Sequence, residues 1–180
     1  MSVMPDRMEV IRGVFERSPV ALTLADLDRE DAPLLLANDR FARLTGYGAS
    51  EMIGKNCRFL QRPGENEQAC ADVRGAMESF REVQVVFRNY RKNGEQFDNL
   101  LFLHPIDGPN GARYMLGSQF ELVPQRPGAM QGAATHHVAG LSDDLARLTR
   151  LSEQLHAERR RHMAAAAASL VATWMRNRRI

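Results

Sequence analysis

Cysteine is scarce in this chain, and so is any long apolar run. Its 180 residues hold two cysteines, Cys57 and Cys70, 13 positions apart. That excludes a disulfide framework and the paired spacing of a zinc site. In a reducing compartment both are expected as free thiols. Met1 to Arg17 carries charges throughout and lacks the apolar core of a signal peptide. The longest weakly charged stretch, Met163 to Met175, is rich in alanine and too short to span a bilayer. No Ser-His-Asp set, carboxylate pair or metal cluster argues for catalysis or a metal centre. His104 stands beside Pro105, and His136-His137 has no ligating neighbours. The chain reads as soluble, cytoplasmic and non-enzymatic, with no membrane segment.

What is present is ordinary in bulk and uneven in distribution. Hydrophobic residues make up 44% and charged residues 26%, as in a typical soluble domain. The net charge of +2 hides an asymmetry: nine arginines and four acids place +5 on residues 126–180, leaving −3 on the rest.

Taken in order, Met4 to Arg17 reads as a short amphipathic helix on Met8, Ile11 and Phe15, ended by Ser18-Pro19. Strands are expected over Val20–Leu24 and Leu34–Ala37. A helix capped by Asn38 or Asp39 runs through Phe41 and Leu44 and closes at Gly46. Ser50 reads as the next cap, and a longer helix is expected from Glu65 to Ser79, with Ala69, Val73, Ala76 and Met77 on one face. Val83–Arg91 and Gln96–Ile106 are strand-like. Asn93-Gly94 between them predicts a hairpin turn with positive φ at both positions. Asp107–Gly111 reverses the chain into a last strand, Ala112–Val123. The predicted class is α+β with an antiparallel sheet.

Pro124 to Gly140 reads as a linker. Leu141, Leu145, Leu148, Leu151 and Leu155 then recur every three or four residues as a narrow leucine seam. Arg159 to Arg161 interrupts the seam, and Met163 to Trp174 is a second, alanine-rich helical segment. The organisation expected is a helical cap over 1–18, a domain over 19–124, a linker over 125–140 and a helical extension over 141–180.

The densest chemistry lies at Gly54-Lys55-Asn56-Cys57-Arg58-Phe59-Leu60-Gln61. Read as helix, this run puts Cys57 and Gln61 on one face, four positions apart, with Asn56 and Arg58 at its margins. A lone cysteine is usually a small buried hydrophobe. One thiol among two amides and a guanidinium instead suits a polar, partly anionic ligand.

The run resembles the flavin-binding signature of the light-oxygen-voltage (LOV) photoreceptor domains, a branch of the PAS fold, and the likeness extends from about Val20 to Val123. Asn38, Phe41 and Leu44-Thr45-Gly46-Tyr47 resemble the helix before the signature. Arg74 lies where the family keeps a second phosphate-binding arginine. Asn89-Tyr90-Arg91-Lys92-Asn93-Gly94 and Asn99-Leu100-Leu101 resemble its paired strands, and Gly117-Ser118-Gln119 its last strand. The resemblance implies a five-stranded antiparallel PAS sheet with flanking helices and a bound FMN. Asn89, Asn99 and Gln119 would face the ring edge, since an amide both donates and accepts. Arg58 and Arg74 would hold the phosphate, and Asn56 and Gln61 the ribityl hydroxyls. Leu103, Met115 and Gly117 complete the implied site. Blue light would then drive a reversible adduct between the Cys57 sulfur and ring carbon C4a, with Gln119 re-sorting its hydrogen bonds as N5 becomes a donor.

The chain departs from the pattern at Asp98, Met115 and Ala25, where many members have tryptophan, phenylalanine and threonine. The short loop after Gln61 favours FMN over FAD. Cys70 reads as structural. For the tail, the leading expectation is a homodimer through terminal helices, because an exposed leucine seam needs cover. The alternatives are a light-regulated nucleic-acid binder using the tail arginines, or a PAS dimerisation module without pigment.

Overall fold

The computed structural model describes residues 12–13, 15–123 and 139–176, with side chains from 146 onward in the last stretch. Five strands form one antiparallel sheet: β1 Ala21–Asp26, β2 Leu34–Ala37, β3 Val83–Tyr90, β4 Gln96–Asp107 and β5 Arg113–Leu122. Their order across the sheet is β2-β1-β5-β4-β3. The first and last strands in sequence therefore lie side by side at its centre. The helices are α1 Asp39–Thr45, α2 Ala49–Met52, α3 Glu67–Glu78 and α4 Ala139–Arg176, with a 3-10 turn at Cys57–Leu60. Both faces of the sheet are apolar, and each has its own cover.

Strand alternation sorts the side chains. Odd positions (Thr23 and Ala25 on β1, Asn99 to Leu103 on β4, Met115 to Gln119 on β5) face α1, α3 and the 3-10 turn. Even positions on β1, β4 and β5 face the other way. There Leu22, Leu24, Ile106 and Leu116 pack with Ala168, Val171 and Met175 of α4, while Leu100 and Phe102 pack with Ala164. Alanine at the contact lets the helix approach the sheet closely. β3 lies outside this cover, and Val86 on its outer face is 49% exposed.

Asn38 ties the two layers together. Its Oδ1 accepts from the backbone N–H groups of Leu22 and Phe41, capping α1, and its Nδ2 donates to the carbonyls of Phe15 and Val20. The side chain is 1% exposed and spends its amide on four partners. Asn38→Ala takes the partner from the Leu22 and Phe41 N–H groups and the Val20 carbonyl, while the Phe15 carbonyl keeps Ser18 N–H, and is expected to cost about 3 kcal/mol. Urea denaturation measures it, and a loss under about 1 kcal/mol would mean water takes over these bonds.

Several expectations need correction. The α2 cap is Gly48, whose N–H donates to Glu51 Oε2 at 2.9 Å; Ser50 lies inside the helix. In the β3–β4 turn Gly94 has φ +86°, but Asn93 is not left-handed. Gly94 N–H donates to the Arg91 carbonyl and Arg91 N–H to the Glu95 carbonyl. That is the longer hairpin with glycine as the single left-handed residue. The leucine seam and the alanine-rich segment, which the sequence left as two segments, lie on one helix: α4 is continuous over 38 residues through the 159–161 arginines, which are good helix formers. Of the N-terminal helix, residues 12–13 and 15–17 are described, all helical, and Phe15 is buried. Met8, Ile11, His136-His137 and residues 124–138 of the linker expected to reach Gly140 lie outside the described residues, and α4 already begins at Ala139.

Candidate functional site

Between the odd face of the sheet and the short helices lies a cavity of about 230 Å³. Its floor is β-sheet: Thr23 and Ala25 from β1, Asn89 from β3, Asn99 and Leu103 from β4, and Met115 and Gln119 from β5. Its roof is the 3-10 turn with Asn56, Cys57, Arg58 and Gln61, and its side wall is α3 through Cys70, Val73, Arg74 and Met77. Asn66, just before α3, anchors that wall. Its Oδ1 accepts from Arg88 N–H at 2.7 Å and its Nδ2 donates to the Arg88 carbonyl at 2.9 Å.

The polar floor is poor in partners. Asn89 and Asn99 are each 3% exposed and Gln119 is 5% exposed, yet Oδ1 of both asparagines and Oε1 of the glutamine have no hydrogen-bond partner. Buried amide oxygens are almost always satisfied. Three orphaned acceptors on one cavity floor fit a ligand that presents donors beside acceptors. The register accounts for their meeting. Asn99 pairs with Phe87 and Asn89 with Phe97, so both amides keep the same parity across the hairpin. Leu101 pairs with Gln119 across β4 and β5.

The roof departs from the helix expected over Cys57–Gln61. It is a 3-10 turn, and Gln61 is its extended C-cap residue. Three residues per turn put positions four apart about a third of a turn out of line. Both reach the cavity because the chain straightens at Gln61. Asn56 is committed locally: its Oδ1 accepts from Arg58 N–H at 3.0 Å and its Nδ2 donates to the Asp31 carbonyl at 2.6 Å. The Arg58 guanidinium pairs with the Asp31 carboxylate at a largely exposed edge. Arg74 is exposed on the same rim. The two cations thus stand at the mouth and the amides at the floor.

Cys57 is half-buried, and burial pushes its thiol up to about 12. The group is a neutral thiol at any physiological pH. Cys70, read from sequence as merely structural, also lines the cavity, where its Sγ donates to Gln61 Oε1 at 3.3 Å.

Gly117 is the one expected site residue that does not line the cavity. It sits between Thr23 and Leu103 in the sheet and leaves room for its neighbours. A Cβ there would lie 2.6 Å from Thr23 Oγ1 and 2.7 Å from Gln119 Nε2. Thr23, which no motif marked, donates nothing to a backbone partner; its Oγ1 accepts from Gln119 Nε2 at 3.0 Å. Asp98 points outward, as expected. His104 faces the α4 side of the sheet, away from the cavity. It is 9% exposed, and burial holds its pKa below the usual imidazole value against the opposing pull of Glu82.

A five-stranded antiparallel sheet curled with short helices around an amide-floored cavity defines a ligand-holding sensor domain of the PAS class. The PAS domain family model matches residues 19–121. The crystal structure of the Rhodobacter sphaeroides LOV protein is 51% identical, with a TM-score of 0.63 over 94% of this chain and 98% of that one. The chain belongs to the PAS family and, within it, to the LOV proteins. Among curated relatives, a blue-light-activated histidine kinase of Rhizobium johnstonii is 43% identical over 67% of this chain and 35% of its own length. A blue-light photoreceptor of Listeria innocua is 33% identical over 69% of this chain and 49% of its own. The chain thus spans between a third and a half of these two relatives.

Proposed function

We propose that this protein is a blue-light receptor in which a flavin, most simply FMN, occupies the amide-floored cavity and reacts reversibly with Cys57. The observation that carries this is the set of three orphaned amide oxygens on Asn89, Asn99 and Gln119 facing a roof with a neutral thiol. When bound, a flavin would supply blue absorption and, once excited, a ring electrophilic enough for the Cys57 thiol to add to it reversibly. The residues do the rest. Asn89 and Asn99 orient the ring by pairing with its alternating edge. Arg58 and Arg74 at the mouth suit a phosphate through charge-assisted bonds, with Arg58 leaving Asp31 to do so. Gln61, beside Cys70, suits the hydroxylated chain. Cys57 holds its proton until light arrives, because burial disfavours the thiolate.

Output runs through β5. Gln119 faces the cavity, while Leu116 and Phe120 on the reverse face pack with residues of α4. A re-sorted amide on this strand is one sheet thickness from the helix. Leu148, Leu151 and Leu155 of α4 are 63%, 54% and 65% exposed along one stripe. A stripe of this kind is covered by a second copy, so α4 is read as a homodimer element whose docking light alters. Leu141 and Leu145 of the seam lie where side chains are not described.

One experiment tests both halves. The purified protein is expected to be yellow, to bleach under blue light and to recover in the dark, with its mass by light scattering that of a dimer in one of the two states. A colourless protein, or one that does not bleach, overturns the receptor reading. A monomer in both states overturns the dimer.

A further inference from the structure

We propose that Thr23 is the positioning residue for the Gln119 amide, accepting from its nitrogen end in one orientation and donating to its oxygen end in the other. Thr23 and Gln119 are 4% and 5% exposed, so water does not compete for either group. Gln119 Nε2 donates to Thr23 Oγ1 at 3.0 Å, which leaves Oε1 as the end without a partner. An isolated glutamine on a cavity floor has two orientations of nearly equal energy, because its ends differ only in hydrogen bonding. Thr23 gives either orientation a partner. A hydroxyl is the smallest side-chain group that both donates and accepts. When the amide turns over, the Thr23 O–H can donate to Oε1 from the same place. The amide therefore keeps one bond in either state and pays no orphaning penalty at Thr23 for switching.

The backbone has made room for this pair. Thr23 and Gln119 sit on neighbouring strands, with Gly117 directly opposite Thr23. The space a side chain at Gly117 would fill is taken by the two bonded atoms, at 2.6 Å and 2.7 Å from a hypothetical Cβ. Glycine in a central strand otherwise weakens a sheet, and here it leaves room for the hydrogen bond.

The test compares Thr23→Val, which keeps the shape and removes the hydroxyl, with Thr23→Ser, which keeps the hydroxyl. The first readout is the Gln119 side-chain amide resonance of the protein purified in the dark, assigned by its loss in Gln119→Leu. The second is dark recovery after a blue flash, which rests on the receptor reading. In Thr23→Val the amide is expected to move to the position of an unbonded side chain, and recovery to change by about fivefold or more. Thr23→Ser is expected to hold the wild-type resonance and recover within about twofold of wild type. A Thr23→Val protein unchanged in either readout overturns the proposal, as does a Thr23→Ser protein that behaves like Thr23→Val. If wild type does not bleach at all, the receptor reading fails, and the amide resonance alone still decides the role of Thr23.

Discussion

Cys57→Ala is expected to yield a protein that stays yellow and shows no bleaching under blue light. In the proposed complex the floor and the mouth hold the chromophore, through Asn89, Asn99, Gln119, Arg58 and Arg74, and alanine at 57 would remove none of these contacts. It removes the one roof atom that can bond to a ring carbon. The expected loss is total, because no alternative route shares the step. Cys70 also lines the cavity, so it is the necessary control. Its Sγ is engaged with Gln61, and Cys70→Ser is expected to bleach like wild type. With the Cys57 thiol pushed up to about 12, its protonation does not change between about pH 6 and about pH 9. Bleaching amplitude is accordingly flat across that window, and Cys57 resists alkylation in the dark. Absorption spectra before and after a blue flash measure the first expectation, and mass spectrometry after iodoacetamide the last. Persistent bleaching in Cys57→Ala that vanishes in Cys70→Ser would move the reactive thiol to α3.

Local chemistry made much of this fold readable in advance. Asn38 and Gly46 terminate α1 as their residue types dictate: a side-chain oxygen accepts from Phe41 N–H, and the closing residue has φ +77°. The likeness of 89–94 and 99–101 to the family's paired strands brought Asn89 and Asn99 to the site, and the strand register sets them on one face. One miss was decided by a tertiary contact. Cys57 to Gln61 tightened to 3-10 geometry with Asn56 tied to the Asp31 carbonyl, a partner 25 residues away. The 159–161 arginines interrupt the leucine seam, and apolar spacing alone left open whether one helix runs through them. Helix continuity depends on backbone propensity, which arginine satisfies. Thr23 was invisible for the opposite reason. Threonine is common in strands, and nothing local distinguishes one that holds a glutamine 96 positions away. Cys70 was discounted because α3 was read alone, before its face was known to close a cavity.

Val171→Asp tests whether α4 belongs to the sheet. Val171 is 1% exposed and packs in the same cluster as Leu22, Leu24 and Leu116. Aspartate there forfeits the burial of an apolar side chain, about 2 kcal/mol. It also sets a carboxylate in an apolar cluster, which costs several kcal/mol more. Together these exceed what a helix docked by one short alanine-lined face can recover, so α4 leaves the sheet while the cavity, on the opposite face, keeps its walls. The expected protein is yellow and bleaches, is cut rapidly by protease between residues 146 and 176, and shows no light-dependent change in size. Ala165→Asp, on the exposed side of the same helix, is the matched control, expected within about 0.5 kcal/mol of wild type. The pair separates charge from burial. Protection of α4 in Val171→Asp would mean that contacts outside this cluster hold the helix. A light response in size that survives release of α4 would place the output elsewhere, on the strand edge of β3 or the helix before Ser18.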